Sequence, residues 1–313
     1  MNDVKNLSLS PPHIRARLGV GGIMLGVILA LLPMVGFGIY RYGLDVLFLV
    51  LTTVLAAVLT EYVCSLIFKR PVSLGDYSAV VTGMVLAVCL PPHMPLWVGA
   101  IGAVFAILVV KMPFGGLGQN IMNPAMAAYC FLTLAYAPVF TAAHNEEAPI
   151  HVGLVVANEG SYFDVVVIWD FLISLGGATI GEAARFAPAI GAIILLLFGI
   201  ITLRIPLTYI LSFMAFLSLF ARAIQPTILL IQVISGGLLL AAFFAAGDYV
   251  TRPKTAGGQI IYAIVLGFLT ALFRHHGAGM EGAAFAIIIG NLLVPLIDKC
   301  FRGNRKAKDV TYV

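Results

Sequence analysis

Charge is what this 313-residue chain has least of: Asp, Glu, Lys and Arg make up 10% of it, against 61% hydrophobic residues and a mean hydropathy of +1.05. Soluble domains carry about 25% charged residues, and no soluble fold of this size hides so much apolar surface. Apolar stretches long enough to cross a hydrocarbon core of about 30 Å recur from Leu18 onwards. The chain therefore reads as one membrane domain, with no room for a soluble catalytic domain and no catalytic residues of its own to name. Metal chemistry is also poorly provided for. The four cysteines (Cys64, Cys89, Cys130, Cys300) are scattered without a CxxC, so a thiolate-ligated cluster or zinc site within this chain alone is not expected and buried structural thiols are. His275-His276 lacks a third ligand and reads as interface solvation. The net charge of +4 comes from single basic residues at span ends, which excludes a nucleic-acid surface and leaves the bilayer as the partner. Met1–Arg17 has no short apolar core with a small-residue cleavage site, so the first span is expected to stay.

Ten spans are expected: Leu18–Tyr40, Leu44–Phe68, Tyr77–Leu90, Leu96–Lys111, Ile121–Ala143, Pro188–Leu203, Ile205–Ala221, Thr227–Ala246, Ile260–Phe273 and Gly282–Ile297. Basic residues mark the arm 1–17, the Lys69-Arg70 connection and the tail 299–313 as cytoplasmic, whereas His144–Ser161 has three Glu and no Lys or Arg, as suits the outer face. Five crossings lead to that acidic loop and five must return. Tyr162–Arg185, with Asp164, Asp170 and Gly176-Gly177, is then a re-entrant or broken element near the outer face. The expected fold is an all-α polytopic protein: a first five-helix repeat over 18–143, the outer loop and re-entrant element over 144–186, and a second repeat over 187–298. A weak internal repeat agrees. Thr82–Ala87, Val98–Lys111 and Gly115–Ala127 resemble Ser235–Ala241, Tyr262–Arg274 and Gly277–Ala286 in order, with opposite orientation. Inverted repeats of this kind build their sites near the repeat interface, where helices are interrupted.

The densest polar run is Gly115-Gly116-Leu117-Gly118-Gln119-Asn120, continuing to Asn123-Pro124. Its glycines permit close backbone approach and its amides offer donors and acceptors. Gly115, Gly116, Gly118, Asn120 and Asn123 are accordingly candidate cofactor-binding residues, with a helix-packing turn as the alternative. Glu61 and Asp248, ionisable residues in or at the end of spans, are ion-path candidates. The plainer alternatives are Glu61 snorkelling near Lys69 and Asp248 pairing with Arg252.

Several of these runs also carry a resemblance. Asp76-Tyr77-Ser78-Ala79 with Thr82-Gly83 and Pro91-Pro92, Gly115–Met126, Gly257–Phe273, Ala284–Ala286 through Asn291, Val294–Asp298 and the opening Ser10-Pro11-Pro12-His13 closely resemble the NqrB/RnfD family. Its members are the D subunit of the Rnf ion-translocating ferredoxin:NAD oxidoreductase and the related B subunit of the sodium-pumping NADH:quinone oxidoreductase, and the likeness here is to the former. The resemblance covers most of the chain apart from His144–Asp170. It implies a bacterial or archaeal cytoplasmic (inner) membrane, other Rnf-type membrane and redox subunits as partners, and electron transfer coupled to sodium or proton movement. A channel or secondary transporter without a redox cofactor, and a purely structural subunit, are the alternatives.

The resemblance also implies FMN joined to a threonine by a phosphoester, in a motif similar to Asp-x-x-(Ser/Thr)-x-Ala-Thr. Here the candidate is Thr179 in Ala178-Thr179, but the motif's Asp and Ser/Thr positions fall on Ile173 and Gly176. Gly177–Glu182 aligns better with a Gly-rich turn that follows the flavin motif, and His144–Asp170 contains no threonine. Packing or backbone capping is the competing role for Thr179.

Overall fold

The computed structural model describes residues 19–70, 74–146, 169, 172, 177–221, 226–276 and 281–306, and every element in it is helical. The arm 1–17, most of 147–176 and the last seven residues lie outside the described residues. Asp164 and Asp170 are among these.

Helix α1 (Val20–Tyr42) and α2 (Leu44–Ile67) form a hairpin hinged on Gly43. At φ 81° Gly43 holds a conformation closed to most side chains, and its N–H closes α1 on Ile39 O at 2.8 Å. At 1.5 Å per residue the 23 residues of α1 span about 34 Å, enough for the bilayer core. Leu44, Phe48, Leu51, Leu55, Leu59 and Leu66 are exposed along α2. A soluble protein rarely exposes so long an apolar stripe, and lipid covers it naturally. Hydroxyls inside α2 are returned to the helix: Thr53, Thr60 and Ser65 donate to the carbonyls of Leu49, Ala56 and Glu61.

Helix α3 (Ser78–Cys89) has only 12 residues, about 18 Å, and is buried nearly all round. It starts abruptly after Tyr77, at φ 60°. Helix α4 (Leu96–Phe105) continues as a π-helical segment, Ala106–Lys111. Helix α5 (Pro124–Ala135) is capped by Asn123, whose Oδ1 accepts from Ala125 N and Met126 N at 3.1 and 3.2 Å. The single span expected over Ile121–Ala143 is broken: the chain bends by 95° at Tyr136 into α6 (Ala137–Glu146). Tyr136 takes a non-helical conformation and Pro138 follows it, so the ladder cannot run straight through.

The second half contains α7 (Ala187–Leu197), α8 (Arg204–Phe220), α9 (Pro226–Ile234), α10 (Leu238–Leu240 with the π-helical Ala241–Ala245), α11 (Ala256–His275) and α12 (Glu281–Lys306). Thr227–Ala246 is likewise broken. It bends by 61° at Ser235–Gly237, where Gly236 and Gly237 have φ 65° and 62°. Among the described residues four helices are long and apolar enough to cross a membrane, or up to six if each bent pair counts once. The molecule is a multi-pass membrane protein. Helix α12 runs without interruption to Lys306, into the basic stretch expected to be a separate tail.

Three helix pairs join the halves, each antiparallel. Helix α1 lies on α7: the Phe37 and Phe186 rings meet edge-on at 4.9 Å, Gly191 abuts Ala30 O, and Gly26 faces Ile200. Helix α3 lies beside α10, with Cys89 near Gly237 and Leu240, and Ser78 across from Phe243 and Asp248. Helix α5 meets α12, with Met126 and Tyr129 beside Ala283 and Ala284, and the Asn123 N–H donating to the Asn291 Oδ1 at 3.2 Å.

Candidate functional site: buried charges at the seam between the halves

Glu61 and Lys111 are both 1% exposed and form an ion pair at 2.7 Å. Lys111 stands at the end of the π-helical segment, and α4 packs on α2, so its ammonium is delivered to a carboxylate 50 residues away. The same ammonium donates to Ser78 Oγ at 2.6 Å, and Ser78 Oγ donates to Asp76 Oδ1 at 2.6 Å. Asp76 also accepts from the Ser78 N–H at 2.8 Å, capping the start of α3. A continuous chain Glu61–Lys111–Ser78–Asp76 results. Glu61 therefore does not snorkel toward Lys69. Ile67 ends α2, and the buried face of the helix points Glu61 inward to Lys111.

Lys111 and Ser78 border a cavity of about 100 Å³ between the halves. Its polar lining includes Thr82, Asn120 and Asn123 from the first half and Asp248 from the second. Asn120 Oδ1 is buried without a hydrogen-bond partner. Asp248 accepts from Val250 N and Thr251 Oγ1, and forms no ion pair with Arg252 among the described residues; Arg252 instead lies over the Tyr249 ring at 4.4 Å. Asn291 ties the floor together, accepting from Asn123 N at 3.2 Å while donating to Ile287 O at 2.9 Å. Of the Gly-rich loop, only Leu117 and Asn120 border the cavity. Gly115, Gly116 and Gly118 have φ of 125°, 90° and 91°, and the N–H groups of Gly115 and Gly116 close the end of α4 on Met112 O and Lys111 O. Gly115 and Gly116 terminate a helix.

A second charged cluster sits at the break between α9 and α10. Arg274, at the end of α11, donates to the carbonyls of Gln232, Ser235 and Gly236, which closes the C-terminus of α9 with a cation. Glu182 accepts from the Gly237 N–H, which closes the N-terminus of α10 with an anion. Glu182 belongs to the segment 177–186, which is anchored on three sides. Tyr42 OH both donates to Gly177 O at 3.2 Å and accepts from Gly177 N at 3.1 Å, and the Ile180 N–H donates to Leu90 O at 3.0 Å. The element is a turn wedged between helices, with one 3-10 turn at Ile180–Glu182.

Thr179 lies inside that wedge. It is fully buried, and its Oγ1 has no hydrogen-bond partner. The neighbouring backbone is closely packed: a Cβ on Gly177 would lie 2.6 Å from Glu182 O, and one on Gly181 would lie 2.9 Å from Val88 O. A phosphoester requires a hydroxyl that a flavin can reach, so Thr179 does not fit that linkage. The cavity at the seam is also too small, since sites for molecules of that size run to about 300–1,000 Å³. His275 and His276 remain at the exposed end of α11, and the described residues contain no group of three His, Cys, Asp or Glu arranged for a metal. Cys64, Cys89 and Cys130 are buried free thiols and Cys300 is exposed.

Sequence reasoning missed Lys111, Asp76, Ser78, Glu182 and Arg274 as members of buried clusters. One signal was present: the internal repeat aligns Val98–Lys111 with Tyr262–Arg274, placing the two basic residues in matching positions.

A family model described as NQR2, RnfD, RnfE matches residues 7–306. The chain belongs to this family. Within it the chain is similar to the D subunit of the Na(+)-translocating ferredoxin:NAD(+) oxidoreductase complex of Acetobacterium woodii, at 39% identity covering 96% of this chain and 94% of that protein. It is also similar to the D subunit of the proton-translocating ferredoxin:NAD(+) oxidoreductase complex of Clostridium ljungdahlii, at 33% identity with 93% and 92% covered. A third family member, the D subunit of the ion-translocating oxidoreductase complex of Methanosarcina acetivorans, is 30% identical with 92% of each chain covered. The relatives' names thus agree on the subunit and differ in the ion.

Proposed function

We propose that this chain is the membrane-embedded D subunit of an Rnf-type complex, in which electron transfer between ferredoxin and NAD drives a cation across a bacterial or archaeal cytoplasmic membrane. The observation that carries this reading is the similarity to two subunits so named, over more than nine-tenths of the length of each chain compared. The partners are the other Rnf-type subunits.

The cation path in this proposal follows the seam between two inverted five-helix halves, 18–143 and 187–298, with both termini cytoplasmic and 144–186 at the outer face. Three features support that arrangement. Helices α1, α3 and α5 lie antiparallel to α7, α10 and α12. Both α3 and α10 begin after a left-handed residue, Tyr77 or Gly237. Both α4 and α11 end on a base, Lys111 or Arg274, that reaches toward such a start. Interrupted helices facing each other at a repeat interface are how transport proteins form polar sites within a bilayer. Asp248, Asn120 and Asn123 border the site in this reading, with Glu61 reaching it through Lys111.

Affinity purification of the tagged chain from its native membrane tests the assignment. Co-purification with iron–sulfur and flavin subunits, and ferredoxin:NAD oxidoreductase activity in the eluate, is the expected result. A chain that purifies alone and moves ions with no redox partner would overturn it in favour of a free-standing transporter.

A further inference from the structure

A buried ion pair is a poor device for holding helices together, because the cost of desolvating two charges cancels most of their attraction and apolar residues of the same volume do as well or better. Glu61 and Lys111 are nevertheless shut away at 1% exposure on two apolar helices. Lys111 has two further properties that a static pair does not need. Its ammonium is shared with Ser78 Oγ, and it borders the cavity whose opposite wall carries the Asp248 carboxylate. The backbone that bears it is π-helical, with Met112 N bonded to Ile107 O, an arrangement found frequently at functional sites.

Resting on the ion-translocation reading above, we propose that Lys111 is a built-in counter-cation which a proton or a monovalent metal cation displaces from Glu61. When the mobile cation arrives, it neutralises Glu61, and the Lys111 ammonium stays protonated and shifts toward the cavity, where Asp248 balances it. One cation is bound and no buried charge is left unmatched. The other titratable or charged groups near the pair are Cys64, one turn on in α2, Asp76, through Ser78, and Arg70, whose guanidinium donates to Met112 O at 3.0 Å. The matching base in the second half, Arg274, faces the Phe213 ring at 5.0 Å instead of a carboxylate on the neighbouring helix. The exchanging pair is therefore on the first half, with only Asp248 contributed by the second.

The test uses the whole complex in liposomes. The double variant Glu61→Gln/Lys111→Met is neutral at both positions, so it removes the charges without orphaning either. It is expected to assemble, with ion uptake per electron transferred at least tenfold below wild type. Uptake at the wild-type rate would show that the pair is only structural and would overturn the proposal. Lys111→Met alone identifies the cation. With the Lys111 charge gone from beside Glu61, the melting temperature of the complex is expected to rise with NaCl but not choline chloride if a metal cation takes the site. It rises on acidification alone if a proton does. A response to neither would overturn the proposal. A wild-type complex that transfers electrons without moving ions would refute the functional reading instead, and the Lys111→Met melting data would then decide on their own whether Glu61 binds a cation.

Discussion

Replacing Gly191 by Ala probes the contact on which the two halves depend. An added Cβ would lie 2.3 Å from Ala30 O and 2.7 Å from Phe244 Cζ. Ordinary contact begins near 3.4 Å, so the carbonyl would have to retreat by 3.4 − 2.3 = 1.1 Å. That atom is backbone in the middle of α1, so no side-chain rotation relieves the clash and the helices must separate along their crossing. Overpacking of this kind costs about 1–3 kcal/mol. The intrinsic gain of Gly→Ala within a helix, about 0.5–1 kcal/mol, offsets only part of it. Gly36→Ala on α1 is the control, since nothing lies within 4 Å of its Cβ position and the site is exposed; it should be neutral or slightly stabilising. Thermal unfolding of the detergent-purified complex, read side by side for the two variants, should show a clear loss for Gly191→Ala only. Equal stability of both variants would refute the close α1–α7 crossing.

Three other substitutions test the capping and the wedge. Arg274→Met strips the cation from the carbonyls of Gln232, Ser235 and Gly236 and should destabilise by about 2–4 kcal/mol in a denaturant series, with Arg274→Lys recovering only part because an ammonium lacks the planar fork and span of the guanidinium. Thr179→Val deletes a buried hydroxyl that bonds to nothing, so stability should stay level or rise by up to about 1 kcal/mol, and any in-gel flavin fluorescence of the chain should be unchanged; loss of fluorescence would restore the phosphoester. Asn123→Ala removes the acceptor of the Ala125 and Met126 N–H groups and should cost about 1–2 kcal/mol, whereas Asn123→Asp, which keeps the acceptor, should cost less.

Much of the helical framework is legible in hydrophobic run length, because a bilayer demands it. Leu96–Lys111 is one unbroken helical stretch with the expected bounds, and α1 and α2 differ from expectation by a residue or two. The breaks were less visible, since an apolar run reads the same whether or not its backbone ladder is continuous. Pro138 and the Ser235-Gly236-Gly237 run were the available signals, and each lies at or beside a bend. The buried pair was half legible. Glu61 stood out as a carboxylate in an apolar run, but its partner lies 50 residues on, and only the packing of α4 on α2 selects Lys111 over the nearby Lys69. Thr179 shows the converse. A dipeptide match points to an attachment site, and the buried Thr179 hydroxyl does not fit one.

The most direct measurement of the central claim is cation uptake into liposomes carrying the purified complex, driven by reduced ferredoxin and NAD, with and without this subunit. The account predicts uptake that follows electron transfer, stops with an ionophore while electron transfer continues, and is absent from complexes lacking the subunit. Uptake at the full rate without the subunit would contradict it.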